Sequence, residues 1–179
     1  REAEGSEPGD AKAMTLATST ADGVPSARMV LLKGADEAGF VFYTNLESRK
    51  GQDLQANPRA SLCLHWKSLG RQVRLDGAVE RVEEGEADAY FATRDRMVKI
   101  GAWASKQSQP LSGRELLETR LLEAQQRFPG DDVPLPSFWG GYRLLAEEIE
   151  FWQGRADRLH DRLVFTRSED GWDTARLYP

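Results

Sequence analysis

The sequence contains few of the residues that form disulfides or bind metal ions. Its 179 residues include one cysteine, Cys63, and two histidines, His65 and His160. A single cysteine cannot form a disulfide within the chain, which indicates a reducing compartment and predicts a cytoplasmic location. Cys63 lies inside an apolar run, where a small core residue is expected. One cysteine and two histidines are too few for a structural zinc site, so no bound metal is expected.

Two further absences limit the expected partners. No apolar run approaches the roughly 20 residues that cross a bilayer, and the polar residues 1–6 lack the apolar segment of a signal peptide. Acidic residues outnumber basic residues by 29 to 24, which gives a net charge of −5. A negative net charge disfavours non-specific binding to nucleic acids and to anionic membranes. We therefore expect neither a membrane nor a nucleic acid as partner.

Several catalytic and nucleotide-binding motifs are also missing. The sequence has no G-x-G-x-x-G fingerprint, no Walker A loop and no G-x-S-x-G elbow. Its carboxylates lie mostly on predicted helices, without the spacing of an acid–base pair. What is present is a set of Arg, Lys, Ser, Thr, Tyr and Gln residues at predicted strand ends and loops. That inventory suits a phosphorylated small molecule, and redox chemistry there would need an organic cofactor.

Strands dominate the predicted secondary structure. Apolar runs bounded by Gly, Pro, Asn and Asp predict strands at 13–18, 26–33, 40–44, 59–66, 71–82, 138–152, 158–165 and 172–177. Short loops join the first three, which predicts an antiparallel meander. Residues 1–12 are predicted to form a flexible lead-in and residues 13–179 a single domain. The predicted fold class is mainly β with peripheral helices, arranged as a barrel.

Three helices are predicted, at residues 48–56, 83–93 and 112–128. Ser48 can cap the first, and the Asn57-Pro58 pair ends it. Ser112 is expected to cap the third, with Glu115 completing a capping box.

Two clusters of cations are candidate binding sites. Arg49 and Lys50 lie at the predicted start of the first helix, where unpaired backbone N–H groups also favour a phosphate. An exposed basic helix start would have the same sequence. In a strand, Arg158, His160 and Arg162 would project from one face and could hold a planar anion. A solvated outer face of an edge strand is the alternative.

Seven segments, in order along the chain, resemble the pyridoxine (pyridoxamine) 5′-phosphate oxidase family. They are Arg28-Met-Val-Leu-Leu-Lys33, Phe42-Tyr-Thr-Asn45, Ser48-Arg-Lys50, Ser105-Lys-Gln-Ser108, Pro134-Leu-Pro-Ser-Phe-Trp-Gly-Gly141, Glu150-Phe-Trp-Gln-Gly154 and Arg158-Leu-His-Asp-Arg162. The resemblance runs from about residue 10 to residue 179. It implies a split β-barrel homodimer with FMN at the subunit interface. It also implies oxidation of pyridoxine or pyridoxamine 5′-phosphate to pyridoxal 5′-phosphate by O2, with hydrogen peroxide as the second product.

The resemblance also implies roles for individual residues. Cofactor-binding residues would be Arg28, Met29, Val30, Leu31, Leu32, Lys33, Tyr43, Thr44, Arg49, Lys50, Gln72, Gln107, Ser108, Trp152 and Arg162. The cations Arg28, Arg49 and Lys50 would bind mainly the FMN phosphate. Substrate-binding residues would be Lys33, Tyr90 and Arg94 at the substrate phosphate, with Arg158 and His160 over the pyridine ring as catalytic residues.

One position departs from the family pattern. Val98 stands where the family has a serine that helps to hold the substrate phosphate, and a valine has no hydroxyl to donate. The nearby cations Arg96 and Lys99 could compensate with charge. Two alternatives therefore stay open: a related flavin oxidase of another ring compound, as in phenazine pathways, and a barrel that binds flavin without turnover.

The spacing of Arg28 and Lys33 raises a geometric question. Residues five apart on one regular strand face opposite sides of the sheet. A bulge, or a site shared between two chains, would reconcile their implied roles, and the shared site is the preferred prediction.

Overall fold

One antiparallel sheet organises the fold. The computed structural model describes residues 2–179. The nine strands are β1 (Ala13–Ser19), β2 (Pro25–Leu31), β3 (Gly34–Asp36), β4 (Gly39–Asn45), β5 (Arg59–Trp66), β6 (Arg71–Arg81), β7 (Trp139–Gln153), β8 (Asp161–Ser168) and β9 (Gly171–Leu177). The helices are α1 (Glu2–Ser6), α2 (Arg49–Ala56), α3 (Glu84–Ala92), α4 (Arg96–Ala104) and α5 (Arg114–Arg127), with a 3₁₀ turn at Ala156–Arg158. The mainly β prediction is confirmed.

The 15-residue strand β7 is the centre of the sheet. The strand order is β2-β1-β5-β6-β7-β4-β3, and β8 and β9 extend the sheet beyond the second half of β7. The first half of β7 pairs with β4 and its second half with β8, while β6 pairs along nearly the whole length. The sheet curls around a core that includes Met14, Leu16, Phe42, Leu62, Leu75 and Leu144, closed by Leu54 of α2.

The predicted meander of the first three strands is only partly correct. β1 and β2 form the expected hairpin, in register from Ala13–Leu31 to Ser19–Pro25. The next long strand, β4, pairs with β3 and β7 instead of β2. The chain leaves β2 at Leu32 and Lys33, which lie between strands, so the parity argument for Arg28 and Lys33 does not apply.

A β-bulge interrupts the pairing of β6 with β7. Asp76 faces Glu148 and Gly77 faces Ala146, so Glu147 has no partner on β6. Before the bulge, Tyr142 and Leu144 of β7 point into the core; after it, Ile149 packs against the same core. Because of the extra residue, the inward-facing side chains of β7 have even residue numbers before the bulge and odd residue numbers after it.

The three predicted helices form as α2, α3 and α5, and their ends differ from the predicted ends by at most two residues. Ser48 caps α2 as predicted, accepting a hydrogen bond from the backbone N–H of Gly51. The capping box at Ser112 is wrong: α5 begins at Arg114, and its N-cap residue Gly113 has no side chain to cap with. The sequence interpretation also missed α4, whose residues Ile100 and Ala104 pack with Ala124 of α5.

The amino-terminal segment contains regular structure. Residues 2–6 form α1, in which Ala3 is buried and Glu2 pairs with Arg71 of β6 at 2.7 Å. Flexibility of the lead-in stays a prediction. No helix within residues 2–179 is long and apolar enough to cross a membrane.

Candidate functional site

A cavity of about 370 Å³ lies between β2, β4, α3 and α4. It contains ten of the residues predicted to bind cofactor or substrate: Met29, Val30, Leu31, Lys33, Tyr43, Thr44, Lys50, Tyr90, Arg94 and Gln107. It also contains Asn45, Gly101, Ala102, Ser105 and Trp139, to which the sequence analysis gave no role. Three of these five, Asn45, Ser105 and Trp139, stand within the quoted motifs, so their place in the motifs was the available signal.

Lys50 forms the cationic end of the cavity. Its side chain is buried and its ammonium donates to Gln107 Oε1 at 2.8 Å, Thr44 Oγ1 at 3.1 Å and Ser48 Oγ at 3.2 Å. Burial, helped by the nearby charge of Arg28, lowers the Lys50 pKa to about 8. All three partners are neutral, so within the described part of the chain the ammonium lacks a counter-ion and would gain from an anion.

Arg28 and Arg49, the other two cations predicted to bind the FMN phosphate, do not line the cavity. Arg28 donates to Thr18 Oγ1 at 2.6 Å, and its guanidinium lies 3.6 Å from the buried carboxylate of Asp53. Burial lowers the Arg28 pKa, and the Asp53 carboxylate opposes that effect. Arg49 is exposed at the first turn of α2. Arg28 is thus held in place by Thr18 and by Asp53 of α2, while the exposed side chain of Arg49 can reach an anion at the start of α2.

Parallel aromatic rings form one wall. The ring of Tyr43 lies 4.0 Å from that of Tyr90 and 5.4 Å from that of Trp139, with interplanar angles of 6° and 1°. The Tyr43 hydroxyl donates to Glu86, which Arg143 holds with two hydrogen bonds of 2.9 and 3.1 Å. Burial raises the Tyr43 pKa to about 12, with Glu86 adding to the effect. The phenol therefore stays protonated at neutral pH.

Arg94 is a further cation of the cavity, which Lys33 and Lys50 also line. Its guanidinium lies over the Trp139 ring, 5.0 Å from the centroid. Burial lowers the Arg94 pKa, and Nη1 is a buried atom without a hydrogen-bond partner among residues 2–179. Buried donors in native proteins are nearly always satisfied. An unpaired guanidinium nitrogen on a side chain that lines the cavity therefore fits an anionic ligand.

The wall next to Arg94 is apolar. Val98, Gly101 and Ala102 of α4 line the cavity there. The two cations proposed to compensate for Val98 point elsewhere. Arg96 donates to the carbonyls of Gly130 and Phe128 at 2.8 and 2.7 Å, and Lys99 donates to that of Asp131 at 3.3 Å. Both tie α4 to the connector before β7, so they do not replace the missing hydroxyl.

A second group of predicted residues lies on the outer face of the sheet. Gln72, Trp152 and Arg162 are directly paired across β6, β7 and β8. Glu150, 3% exposed, receives two hydrogen bonds from Arg162 at 2.8 and 2.9 Å and lies 3.2 Å from Arg74. Arg162 lowers the Glu150 pKa, so the carboxylate stays ionised and fixes the guanidinium. Sequence reasoning missed Glu150 as a residue that holds Arg162.

The prediction that Arg158 and His160 lie on the same strand as Arg162 is wrong. β8 begins at Asp161, and the two residues belong to the loop between β7 and β8. Asp157 and Arg158 both have left-handed backbone conformations, with φ of 57° and 61°. The His160 ring packs 4.6 Å from that of Trp152, so the loop folds back over the second group. A turn, and not a strand, therefore brings His160 to Trp152 of the second group.

The predicted site residues therefore form two groups within one chain. Among residues 2–179, no hydrogen bond or ring contact joins the cavity to the outer face with its loop. Leu32 belongs to neither group and packs against the core. Ser108 is exposed beside Gln107, in a left-handed conformation with φ of 70°. A ligand that contacts both groups would have to lie between two copies of the protein, or the chain would have to change its conformation.

Comparison with known protein families covers most of the chain. Residues 6–128 match the family model described as pyridoxamine 5′-phosphate oxidase. Residues 139–179 match the model described as the pyridoxine 5′-phosphate oxidase C-terminal dimerisation region. The first match contains every cavity residue except Trp139, and the second contains Trp139 together with Trp152, Arg162 and the loop that carries Arg158 and His160.

Curated relatives are similar over nearly the full length. The pyridoxine/pyridoxamine 5′-phosphate oxidase of Gluconobacter oxydans is 57% identical over 178 residues, which is 99% of this chain and 89% of that protein. The protein of the same description from Sphingopyxis alaskensis is 58% identical over 178 residues, 99% and 82% of the two chains.

Two solved structures have a similar fold. PhzG from Burkholderia lata, in complex with tetrahydrophenazine-1-carboxylic acid, has a TM-score of 0.89 and 36% identity, covering 94% of this chain and 83% of that one. A pyridoxamine 5′-phosphate oxidase-related, FMN-binding protein from Nostoc punctiforme has a TM-score of 0.76 and 18% identity, covering 94% and 89%. The likeness confirms the predicted split-barrel fold class.

Proposed function

Because the chain belongs to the pyridoxamine 5′-phosphate oxidase family, we propose that it oxidises pyridoxine or pyridoxamine 5′-phosphate to pyridoxal 5′-phosphate. FMN would be the redox group, O2 the electron acceptor and hydrogen peroxide the second product. The observation that carries the proposal is the unpaired, buried Nη1 of Arg94 in a cavity with a second buried cation, Lys50. Three cations line the cavity, Lys33, Lys50 and Arg94, and they suit two phosphates, one on the cofactor and one on the substrate.

The residues present fit FMN. Lys50, with Arg49 beside it at the start of α2, would hold the cofactor phosphate, where helix N–H groups add to the attraction. Bound FMN would supply the two-electron acceptor that no side chain of the cavity provides. The substrate phosphate would then bind Lys33, Tyr90 and Arg94, which all line the same cavity.

A homodimer would complete the site. Arg158, His160, Trp152 and Arg162 lie in the segment that matches a dimerisation region. In a twofold dimer each copy can place its loop over the cavity of its partner, which builds two equivalent sites. Arg158 and His160 would then orient the substrate ring over the flavin and exclude water. The exposed strand β9 and the exposed Met29 and Leu31 of β2 offer apolar area for such a contact.

The test of this proposal uses the purified protein reconstituted with FMN. Flavin absorbance after gel filtration, a dimeric mass, and pyridoxal 5′-phosphate formed from pyridoxine 5′-phosphate under air are the expected results. Flavin binding without product from either B6 phosphate would contradict the proposed substrate. Failure to bind FMN would contradict the proposal as a whole.

A phenazine-type substrate is the second candidate. It is favoured by the apolar wall at Val98 and by the likeness to PhzG, whose structure holds a tetrahydrophenazine carboxylic acid. The unpaired Nη1 of Arg94 favours the phosphorylated ring instead, because a phosphate carries more negative charge than the carboxylate of a phenazine carboxylic acid. Parallel assays with a reduced phenazine carboxylic acid and with the B6 phosphates would separate the two.

Replacing Val98 with serine is expected to lower KM for the B6 phosphate by about 10- to 100-fold, because a hydroxyl bond to a charged group contributes roughly 1.5–3 kcal/mol. Flavin affinity should not change, since the cofactor phosphate is assigned to Lys50 and Arg49 and the new hydroxyl would serve the substrate phosphate. Val24→Ser, in the exposed turn before β2, is the matched control. An unchanged KM in Val98→Ser would show that the substrate phosphate lies elsewhere.

FMN binding is expected to take up protons in mildly alkaline solution. The Lys50 pKa of about 8 lies below its usual value of 10.5, so part of the population has lost the proton at higher pH. A phosphate next to the amine would raise that pKa again, so binding at about pH 9 should take up close to one proton per site. Little uptake by this group is expected at about pH 6.5, where the amine is already protonated.

Titration calorimetry in two buffers of different ionisation enthalpy measures this uptake. The phosphate of FMN is fully ionised at about pH 9 and contributes nothing there. Lys50→Arg is the control, because arginine keeps its charge at both pH values. Equal uptake by wild type and Lys50→Arg would mean that Lys50 is not at the phosphate.

A further inference from the structure

The position of one hydrogen fixes what His160 can do. The backbone N–H of Arg155 donates to Nδ1 of His160 over 3.1 Å. A backbone N–H is always a donor, so Nδ1 must be the acceptor and carries no proton. In a neutral imidazole the proton then belongs to Nε2. The loop therefore selects one tautomer before any ligand arrives.

The surroundings hold the ring in that orientation. The Trp152 ring packs against the imidazole at 4.6 Å, with an angle of 46° between the planes. The Arg155 side chain pairs with Asp161, 2.7 Å from Nε to Oδ2. The turn is closed by the bond from Leu159 N–H to the carbonyl of Ala156. Within residues 2–179, Nε2 makes no hydrogen bond, so its N–H is available to a ligand.

We propose that His160 acts as a hydrogen-bond donor through Nε2 to a lone pair of the bound substrate and does not accept the proton that the substrate loses. The proposal rests on the proposed function, in which His160 contacts the ring of a B6 phosphate. Nε2 cannot take a proton that it already holds. Nδ1 could do so only by giving up the Arg155 N–H, which would leave two donors facing each other in the loop.

Arg155 is the positioning residue in this arrangement, and it acts through its backbone. Its side chain is exposed and its ion pair contributes little, typically below about 1 kcal/mol at the surface. The tautomer therefore depends on the fold of the loop from Gly154 to His160. The two left-handed residues at its tip allow the chain to return so that residue 155 meets residue 160.

Nitrogen NMR tests the tautomer directly, without turnover. The chain has only two histidines, so a His65→Gln variant leaves one imidazole to observe; His65 is exposed on β5. Long-range ¹H–¹⁵N spectra of the ¹⁵N-histidine-labelled, FMN-loaded protein in alkaline buffer should show a protonated Nε2 and a bare Nδ1. A ring protonated on Nδ1, or an average of both tautomers, would overturn the proposal.

Two amide variants test the function of the donor. Glutamine places an N–H₂ group near the position of Nε2, whereas asparagine reaches only the position of Nδ1. We expect His160→Gln to keep roughly tenfold more kcat/KM than His160→Asn, the typical effect of one hydrogen bond. Circular dichroism would establish that both variants fold. Equal or reversed activities would overturn the donor role.

The two proposals fail in different ways. If the wild-type protein makes no pyridoxal 5′-phosphate, the proposed function is wrong, and the nitrogen spectrum still reports the tautomer. If the wild type is active and the spectrum shows a bare Nε2, the function stands and the donor assignment falls.

Discussion

Replacing Arg158 with alanine is expected to leave FMN bound and to lower kcat by about 10²–10³-fold, the usual effect of losing a preorganised charged donor. The side chain is exposed and makes no hydrogen bond or ion pair within residues 2–179, so its loss should not alter the fold. Its role in the proposed site is to hold the substrate ring. The measurements are flavin absorbance after gel filtration and the rate of pyridoxal 5′-phosphate formation.

Arg155→Ala is the matched control for this variant. It removes a guanidinium from the same loop, whose one ion-pair partner within residues 2–179 is Asp161, and keeps the backbone N–H that contacts His160. We expect its kcat to stay within about threefold of wild type, as for an exposed ion pair. If Arg158→Ala loses flavin and turnover to the same degree, Arg158 binds the cofactor instead of the substrate.

Replacing Gly51 with alanine is expected to destabilise the protein by about 3 kcal/mol. A Cβ at this position would lie 2.1 Å from the carbonyl oxygen of Leu46 and 2.5 Å from its carbonyl carbon. Both are backbone atoms, and Leu46 is held by its N–H bond to the carbonyl of Phe138, so no side-chain rotation can relieve the clash. The first turn of α2 must shift, which displaces Lys50 and should also weaken FMN binding.

Urea unfolding followed by circular dichroism, at one protein concentration, measures the loss. Gly85→Ala is the control, because a Cβ there meets no atom within 4 Å in helix α3. It should stabilise the protein by about 0.4–1 kcal/mol through the greater helix preference of alanine. Equal stability of Gly51→Ala and wild type would mean that α2 does not pack as closely as described.

Local sequence signals predicted the elements that depend on local chemistry. The Ser48 cap, the end of α2 at Asn57-Pro58 and the strand at Arg59–Trp66 follow from capping, proline geometry and an apolar run. The cavity residues Lys33, Tyr43, Tyr90 and Arg94 came from the resemblance, because no spacing rule joins four elements so far apart in sequence.

Features that depend on tertiary contacts could not be predicted from the sequence. Ser112 and Glu115 satisfy the pattern of a capping box, yet the helix begins at Arg114, after the extended residue Gly113. Neither left-handed residue of the turn, Asp157 or Arg158, is a glycine, so the usual sequence signal for this conformation is missing. The contact of Arg28 with Asp53 and Thr18 joins three distant segments, and it decides where that guanidinium points.

The unpaired residue Glu147 keeps the two halves of β7 in phase with β6. A residue added to a strand moves every later side chain to the opposite face, unless the partner strand skips it, as β6 does here. Ala146 before the bulge and Ile149 after it therefore both face the core, while Trp152 stays on the outer face. Deleting Glu147 would join Ala146 to Glu148 in the existing register, so the inner and outer faces would not change. The deletion would instead remove the bend that a bulge gives to its strand, and so alter the angle at which the outer face meets the partner subunit in the proposed dimer.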